Sequence, residues 1–466
     1  MPAVRILLVA ALVQPAALVC SADDSAPQRP NIILCMADDL GWGDTGYNGN
    51  SELKTPHLDQ MASEGVRFNR FYSAAPVCSP TRGSCLTGRH PYRLGIPFAN
   101  AGHMQPEELT IAELLQKLGY RTGHFGKWHL GTLTKTIRDG RRGGTKKGID
   151  HFSPPWDNGF DKCFSTEAQM PTWNPMQNQA VAGKFWLGPE SFETENVSGD
   201  AARVVMDRAI AMIEASHAAD DPFFVVIWFH APHSPVVAGP EHRALYADLS
   251  ENKQHYYGCI TALDEQIGRL RKRLAELSIS DNTMLWFCSD NGPAAKGGGP
   301  GKAAGGRQQG ITGGLRGRKG SLYEGGIRVP GLLVWPNGIA HAKTIDAPCV
   351  TSDYLPTIVD VLGIPQQQLS NHELDGISLK PILDGTRQLR GKPIGFQSRK
   401  QLAWSDDQYK LYSSDGGKSF ELYDLLVDPN ESKNIADQFP DLVKRMSDEL
   451  TQWVASCQNS EVTANQ

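Results

Sequence analysis

Two oxygen-rich pairs, one cysteine-led run and a few cationic and imidazole side chains are the residues in this chain that could do chemistry. Asp38-Asp39 and Asp290-Asn291 offer only oxygen donors, a set that suits a hard cation such as Ca²⁺ or Mg²⁺ and not zinc. Adjacent carboxylates repel each other, and a divalent ion removes that penalty. Cys78 opens the run Cys78-Ser79-Pro80-Thr81-Arg82, which reads as a helix start with Pro80 tolerated in the first turn. A helix N-terminus favours an anion by about 0.3–1 kcal/mol in exposed settings. Arg82 lies about one helical turn beyond Cys78 and can face the same site. In Gly126-Lys127-Trp128-His129, strand alternation puts Lys127 and His129 on one face. His233 has prolines on either side, in Pro232-His233-Ser234-Pro235, and is favoured over His230 for that reason. Lys319 follows Arg316 and Arg318 in a glycine-rich stretch. Each of these alone reads as an ordinary loop or surface group.

Their positions relative to the apolar runs change that reading. Residues 31–36, 223–229 and 283–288 are continuous apolar runs, as expected of strands covered on both faces. Helical patterns lie between them, over 58–64, 110–118, 201–215 and 256–277. Alternating strands and helices predict an α/β domain with a parallel or mixed sheet. Every one of the three runs delivers its polar groups at its C-terminal end. Ligand sites in open α/β sheets lie at those ends, so Asp38, Asp39, His233, Asp290 and Asn291 are expected to converge.

The composition sets outer limits. A chain of 466 residues predicts one large domain plus a smaller one. A net charge of -5 argues against a nucleic-acid partner. Residues 1–22 read as a secretory signal: Arg5, an apolar run over 6–19, then Cys20, Ser21 and Ala22. Lipid anchoring at Cys20 is the competing reading, disfavoured by Val19 before it. The sequence holds no second long apolar run, so an exported protein without integral membrane segments is expected, periplasmic or extracellular. The chain has nine cysteines, which leaves eight after the leader, and no pair can be named. The main domain is placed at 29–386 and a small C-terminal domain at 387–458, followed by a tail over 459–466. Within the C-terminal domain, segments at 401–405, 409–413 and 420–425 and a helix over 440–454 predict an antiparallel sheet with one packed helix. Residues 297–320 read as a long mobile loop. The basic stretch 138–147 either steers a polyanion or is a solvated insertion. Trp156 and Trp173 either form a sugar platform or simply pack.

The Cys78 run, continued by Gly83-Ser84-Cys85-Leu86-Thr87-Gly88-Arg89, resembles the signature of type I sulfatases, Cys-x-Pro-x-Arg followed by Thr-Gly-Arg. The Asp38-Asp39, Gly126-Lys127-Trp128-His129, Pro232-His233-Ser234-Pro235, Asp290-Asn291 and Lys319-Gly320-Ser321-Leu322-Tyr323-Glu324-Gly325-Gly326 segments also match that family's pattern. The resemblance runs from Pro30 to about Asn434. It implies an alkaline-phosphatase-like α/β fold with a smaller C-terminal antiparallel sheet. It also implies that Cys78 is oxidised to formylglycine by a formylglycine-generating enzyme. One hydroxyl of the hydrated aldehyde would attack sulfur, and loss of the other's proton would then expel sulfate. One Ca²⁺ would be held by Asp38, Asp39, Asp290, Asn291 and position 78. Arg82 would orient the formylglycine, Lys127 would contact it and sulfate, and His129 would take the second hydroxyl's proton. His233 would bind sulfate and help protonate the leaving alcohol, and Lys319 would reach the sulfate or leaving oxygen. The implied substrate is a sulfated carbohydrate. A formylglycine-dependent phosphodiesterase or phosphonate monoester hydrolase is the alternative enzyme, and a non-catalytic sulfoglycan-binding protein that keeps a thiol at position 78 is the alternative of another class.

Overall fold

The computed structural model describes residues 29–177, 183–295, 307–369 and 373–464. The expected leader, Cys20 and the first part of the glycine-rich stretch lie outside them.

Among the described residues a ten-stranded sheet forms the spine. Its order is Lys343–Ile345, Val66–Phe68, Gly331–Val334, Thr283–Ser289, Asn31–Ala37, Phe223–Trp228, Arg121–Lys127, Lys162–Thr166, Phe185–Gly188 and Ser191–Glu193. The five strands from Thr283–Ser289 to Lys162–Thr166 pair in parallel, and both flanks bring in antiparallel neighbours. The three apolar runs are therefore side by side, with Asn31–Ala37 between the other two. Register places Ala37 opposite Ser289 and Met36 opposite Trp228, so their C-terminal ends are level.

Alternation along the middle strand separates two cores. Ile32, Leu34 and Met36 enter one with the helices Ile111–Lys117 and Tyr354–Val361. Ile33, Cys35 and Ala37 enter the other with Ala201–Ala218 and Glu251–Glu276. Complete burial of a leucine- or isoleucine-sized side chain stabilises by about 1.5–3 kcal/mol, so register is strongly specified here. A one-residue slip would exchange the faces. The helix Ile111–Lys117 begins with a reciprocal capping box between Thr110 and Glu113.

The C-terminal unit is a four-stranded antiparallel sheet: Ile394–Ser398, Gln401–Ser405, Tyr409–Ser413 and Glu421–Asp424. One face, with Ile394, Phe396, Ala403 and Tyr412, packs on Tyr72, Leu322 and Ile327 of the main domain. The other, with Trp404, Leu411 and Leu422, receives Met446 and Leu450 of the helix Pro440–Ala464. That helix runs beyond the expected end at Val454 and through most of the segment read as a tail. The strand Ile394–Ser398 was not foreseen, because Gly395 contributes no side chain and its last inward position is the polar Ser398, which weakens the alternation. No described helix is long and apolar enough to cross a membrane. All eight described cysteines are buried and unpaired.

Candidate active site

The polar groups expected at the three strand ends do converge. Asp38 and Asp39 follow the first strand, Asp290 and Asn291 follow Thr283–Ser289, and all four are buried. The backbone N–H of Asp39 donates to Asp290 Oδ1 at 3.1 Å, and Asn291 Nδ2 donates to Asp39 Oδ1 at 2.7 Å. Asp39 adopts a left-handed backbone, φ 70°, held by that first bond. A Cβ on Gly292 would lie 2.0 Å from the Gly325 carbonyl, so glycine is what allows the Asp-Asn and Tyr-Glu-Gly-Gly segments to touch.

Cys78 is the first residue of the helix Cys78–Thr87, every residue of which is buried. No side chain caps its start, and Gly88 ends it in the left-handed conformation. Ligand atoms of Cys78, Asp38 and Asp290 lie within 4.8 Å of one another, as do those of Asp38, Asp39 and His233. Arg82, one turn on, reaches back as expected. Its Nη2 donates to Asp290 Oδ2 at 2.6 Å, Nη1 donates to the Lys127 carbonyl at 3.0 Å, and its guanidinium lies 5.1 Å from the Trp228 ring centroid. Lys127 Nζ bonds Asp38 Oδ2 at 2.7 Å and Lys319 Nζ bonds Asp39 Oδ1 at 2.5 Å. Three carboxylates thus face three cations.

Two buried oxygens, Asp38 Oδ1 and Asn291 Oδ1, have no hydrogen-bond partner. An unpaired buried acceptor costs about 1–3 kcal/mol. An all-oxygen donor set with two orphaned lone-pair bearers fits a hard divalent cation, with Asp38, Asp39, Asp290 and Asn291 as its holders. Burial pushes the Asp38 carboxyl up, but Lys127, His233, Arg82 and Lys319 overcome this and hold it well below the carboxylate range. Asp290 is pushed upward by burial and by the charge of Asp38, against Arg82 and Lys127. That repulsion is what a cation would relieve.

One local expectation fails. The strand Arg121–Lys127 ends before His129, so the two side chains do not share a strand face. The chain turns at His129, φ 61°, where its N–H bonds the Glu167 carbonyl at 3.1 Å. His129 still reaches the same pocket. Its Nε2 donates to Asn100 Oδ1 at 3.0 Å, which leaves buried Nδ1 without a partner. Burial, then the charges of Lys127, Arg82 and Arg142, holds its pKa well below the usual histidine value. His233 donates from Nδ1 to the Ser234 carbonyl at 2.7 Å and sets Nε2 3.6 Å from Asp39 Oδ2. Burial and the charge of Lys319 pull it down to about 4, against Asp39 and Asp38. The competing His230 turns away and accepts the Met170 N–H at 3.2 Å.

The pocket above the cluster has a volume near 350 Å³ and is lined by Cys78, Asp39, His129, His233 and Lys319. Phe98, Asn100, Gln169 and Gln308 also line it and were passed over, because no motif marks them; Arg141, from the basic stretch 138–147, lines it too. Asp44 was missed as well. Buried, it accepts from the N–H groups of Gly41 and Ile311 and from the Tyr256 hydroxyl, tying the Asp-Asp turn to the described end of the glycine-rich stretch. That end, expected to be loose, is further held by Arg318, which donates to the Ala294 and Gly310 carbonyls. Arg316 instead bonds the Tyr423 hydroxyl, outside the pocket lining. Trp173 packs on Gly239 and Trp156 against the core, and neither lines the pocket.

A model of the sulfatase family matches residues 30–364, and one of the N-sulphoglucosamine sulphohydrolase C-terminal region matches 318–456. The chain is 31% identical to mouse N-acetylgalactosamine-6-sulfatase over 88% of its length and 77% of the relative's. It is also 31% identical to human arylsulfatase A, over 90% of this chain and 85% of that one. Among solved structures, Ps i-CgsB in complex with k-i-k-neocarrahexaose superposes with a TM-score of 0.75 at 27% identity, covering 91% of this chain and 93% of the other.

Proposed function

The chain belongs to the sulfatase family of sulfuric ester hydrolases, and we propose that it is an exported, calcium-dependent member that releases sulfate from sulfated carbohydrates through a formylglycine formed from Cys78. The observation that carries this reading is the buried cluster of Asp38, Cys78 and Asp290 at the base of a pocket that also presents His129, His233 and Lys319. The carbohydrate preference is supported by the hexasugar bound to the structural relative and by the galactosamine sulfatase among the sequence relatives. Export is supported by the leader-like segment 1–22.

Formylglycine at position 78 would supply a hydrated aldehyde as nucleophile toward sulfur, and calcium held by Asp38, Asp39, Asp290 and Asn291 would supply Lewis-acid polarisation. The rest is done by this chain's side chains. Arg82 is held by Asp290 and the Lys127 carbonyl, so it stays aimed beside position 78. Lys319 remains charged: burial opposes it, but Asp39, position 78, Asp38 and Asp290 raise its pKa. Of the three cations paired with Asp38, Asp39 and Asp290 it is the one that lines the pocket, and it serves the sulfate or the leaving oxygen. His129 is neutral at neutral pH and offers the free Nδ1 lone pair as a base. His233 is also neutral before substrate arrives, so Nε2 is an acceptor. An anion placed against it raises its proton affinity, and its use as an acid therefore depends on bound substrate.

Protein co-expressed with a formylglycine-generating enzyme, beside a Cys78→Ala control, should release free sulfate from one member of a panel of sulfated oligosaccharides and phosphodiesters, read by ion chromatography. Metal analysis should find about one calcium per chain. Faster turnover of phosphodiesters or phosphonate monoesters would overturn the sulfatase chemistry. Aldehyde at position 78 with no sulfate released from any glycan would overturn the carbohydrate assignment.

A further inference from the structure

The basic segment 138–147 is a built turn. Buried Glu167 accepts the backbone N–H of Arg142 at 2.9 Å and of Gly143 at 2.7 Å. Asp139 forms a bridge with Gly143, and its carboxylate accepts the Trp186 indole N–H at 2.8 Å. Arg142 turns inward, to the Gly102 carbonyl and His151 Nδ1, both at 2.9 Å. Gly140 has φ 50°, and a Cβ there would lie 2.9 Å from the Glu167 side chain, so the turn can sit on Glu167 only with glycine at that point.

What this turn displays is Arg141. It is exposed, its side chain has no hydrogen-bond or ion-pair partner among the described residues, and it lines the same pocket as Cys78, His129, His233 and Lys319. Arg138, Lys146 and Lys147 are also exposed but do not line the pocket. Gln308 lines it too, is 1% exposed, and has neither amide atom hydrogen-bonded. The cations at the pocket base are already paired with carboxylates, so among the described residues Arg141 is the unpaired positive charge in the lining. A guanidinium fork matches carboxylate or sulfate oxygens two at a time, a geometry ammonium lacks.

We propose that Arg141 is a specificity-determining residue that binds a second anionic group on the alcohol half of the substrate. The preferred glycan then carries a second sulfate or a uronic acid carboxylate near the ester that is cleaved. Gln308 supplies a neutral donor and acceptor for that sugar's uncharged groups. The inference rests on the sulfatase reading and narrows its substrate class.

The test compares wild type, Arg141→Ala, Arg141→Lys and Arg138→Ala on three matched oligosaccharides. One is neutral apart from a single sulfate, one has a second sulfate, and one has a neighbouring uronic acid. Arg141→Ala should lower kcat/KM by about tenfold or more on one of the doubly charged substrates, mainly through KM. On the neutral substrate it should change kcat/KM less than about twofold, and Arg141→Lys should fall between. The substrate that responds names the source of the second anion. Arg138 is exposed and outside the pocket lining, so Arg138→Ala should change kcat/KM less than about twofold on each substrate. Equal losses on all three with Arg141→Ala, or none on any, would overturn the proposal. A wild-type enzyme inactive on every sulfate ester would instead overturn the sulfatase reading, and this inference with it, before any variant is compared.

Discussion

At His129 one hydrogen bond sets the direction of proton transfer. Asn100 accepts Nε2–H, so the lone pair sits on buried Nδ1. Burial and three neighbouring cations hold the folded pKa below the ordinary 6.5, and the base form persists as pH falls through that value. The acid limb of kcat/KM should therefore show no inflection near 6.5, and histidine ¹⁵N spectra should report a neutral ring below about pH 6. Asn100→Leu leaves Nε2–H without its acceptor and frees the ring to turn. It should lower kcat by about 10–100-fold with little change in KM. An unchanged kcat, or an inflection near 6.5 in wild type, would remove the role assigned to this pair.

Among the elements, the C-terminal sheet completes the active site without entering it. Lys319 sits on a segment whose next residue, Gly320, donates its N–H to the Pro76 carbonyl at 2.8 Å, close to Cys78. Gln401 of the sheet clasps the same segment twice. Its amide donates to the Gly320 carbonyl at 2.8 Å, and its carbonyl accepts the Leu322 N–H at 3.0 Å. Lys410 adds a buried ionic anchor, 3.0 Å from Glu324 and 2.9 Å from Glu431. Gln401→Ala should lower kcat/KM by about tenfold through a misplaced Lys319 ammonium. In a Lys319→Ala background the same change should cost almost nothing, because the two side chains act through one group. Fully additive losses in that double-mutant cycle would show that Gln401 serves stability alone.

For the molecule as a whole, buried neutral imidazoles tie stability to pH. His90 is packed edge-on against Trp453 of the last helix, ring centroids 4.6 Å apart, where main domain and C-terminal unit meet. Burial pulls its pKa down to about 3, against the pull of Asp375. Below about pH 6.5 the unfolded chain takes up a proton that the folded chain refuses. This group therefore lowers stability as pH falls from 6.5 toward 3, by about 1.4 kcal/mol per pH unit. Above 6.5 it contributes no pH dependence. Urea midpoints between about pH 6.5 and 4.5 should fall less steeply for His90→Gln than for wild type. Parallel slopes would mean that His90 protonates in the folded state.

How much was legible follows from the range of each interaction. The three apolar runs declared a two-sided sheet because burial on both faces removes polar alternation, and their terminal Asp, Asn and His residues declared a shared edge. Arg82 was legible because one helical turn is a local distance. The short Ile394–Ser398 strand was not, since its alternation is weak and its partners supply the order. His129 was placed on a strand that had already ended, because the turn there depends on the Glu167 carbonyl, contributed from a neighbouring strand end. Asn100 and Gln401 carry no local signature, because each acts through a contact far away in sequence; Gln308 has none either, and of the basic stretch 138–147 only folding singles out Arg141 as pocket-lining. The sequence by itself thus determined the chemistry, since residue types and short spacings decide which groups can bind a cation, attack or carry charge. Only the tertiary structure decided which nitrogen of His129 is free, which arginine of the basic turn faces the pocket and what holds Lys319 in place, because each depends on groups that only folding brings within hydrogen-bonding range.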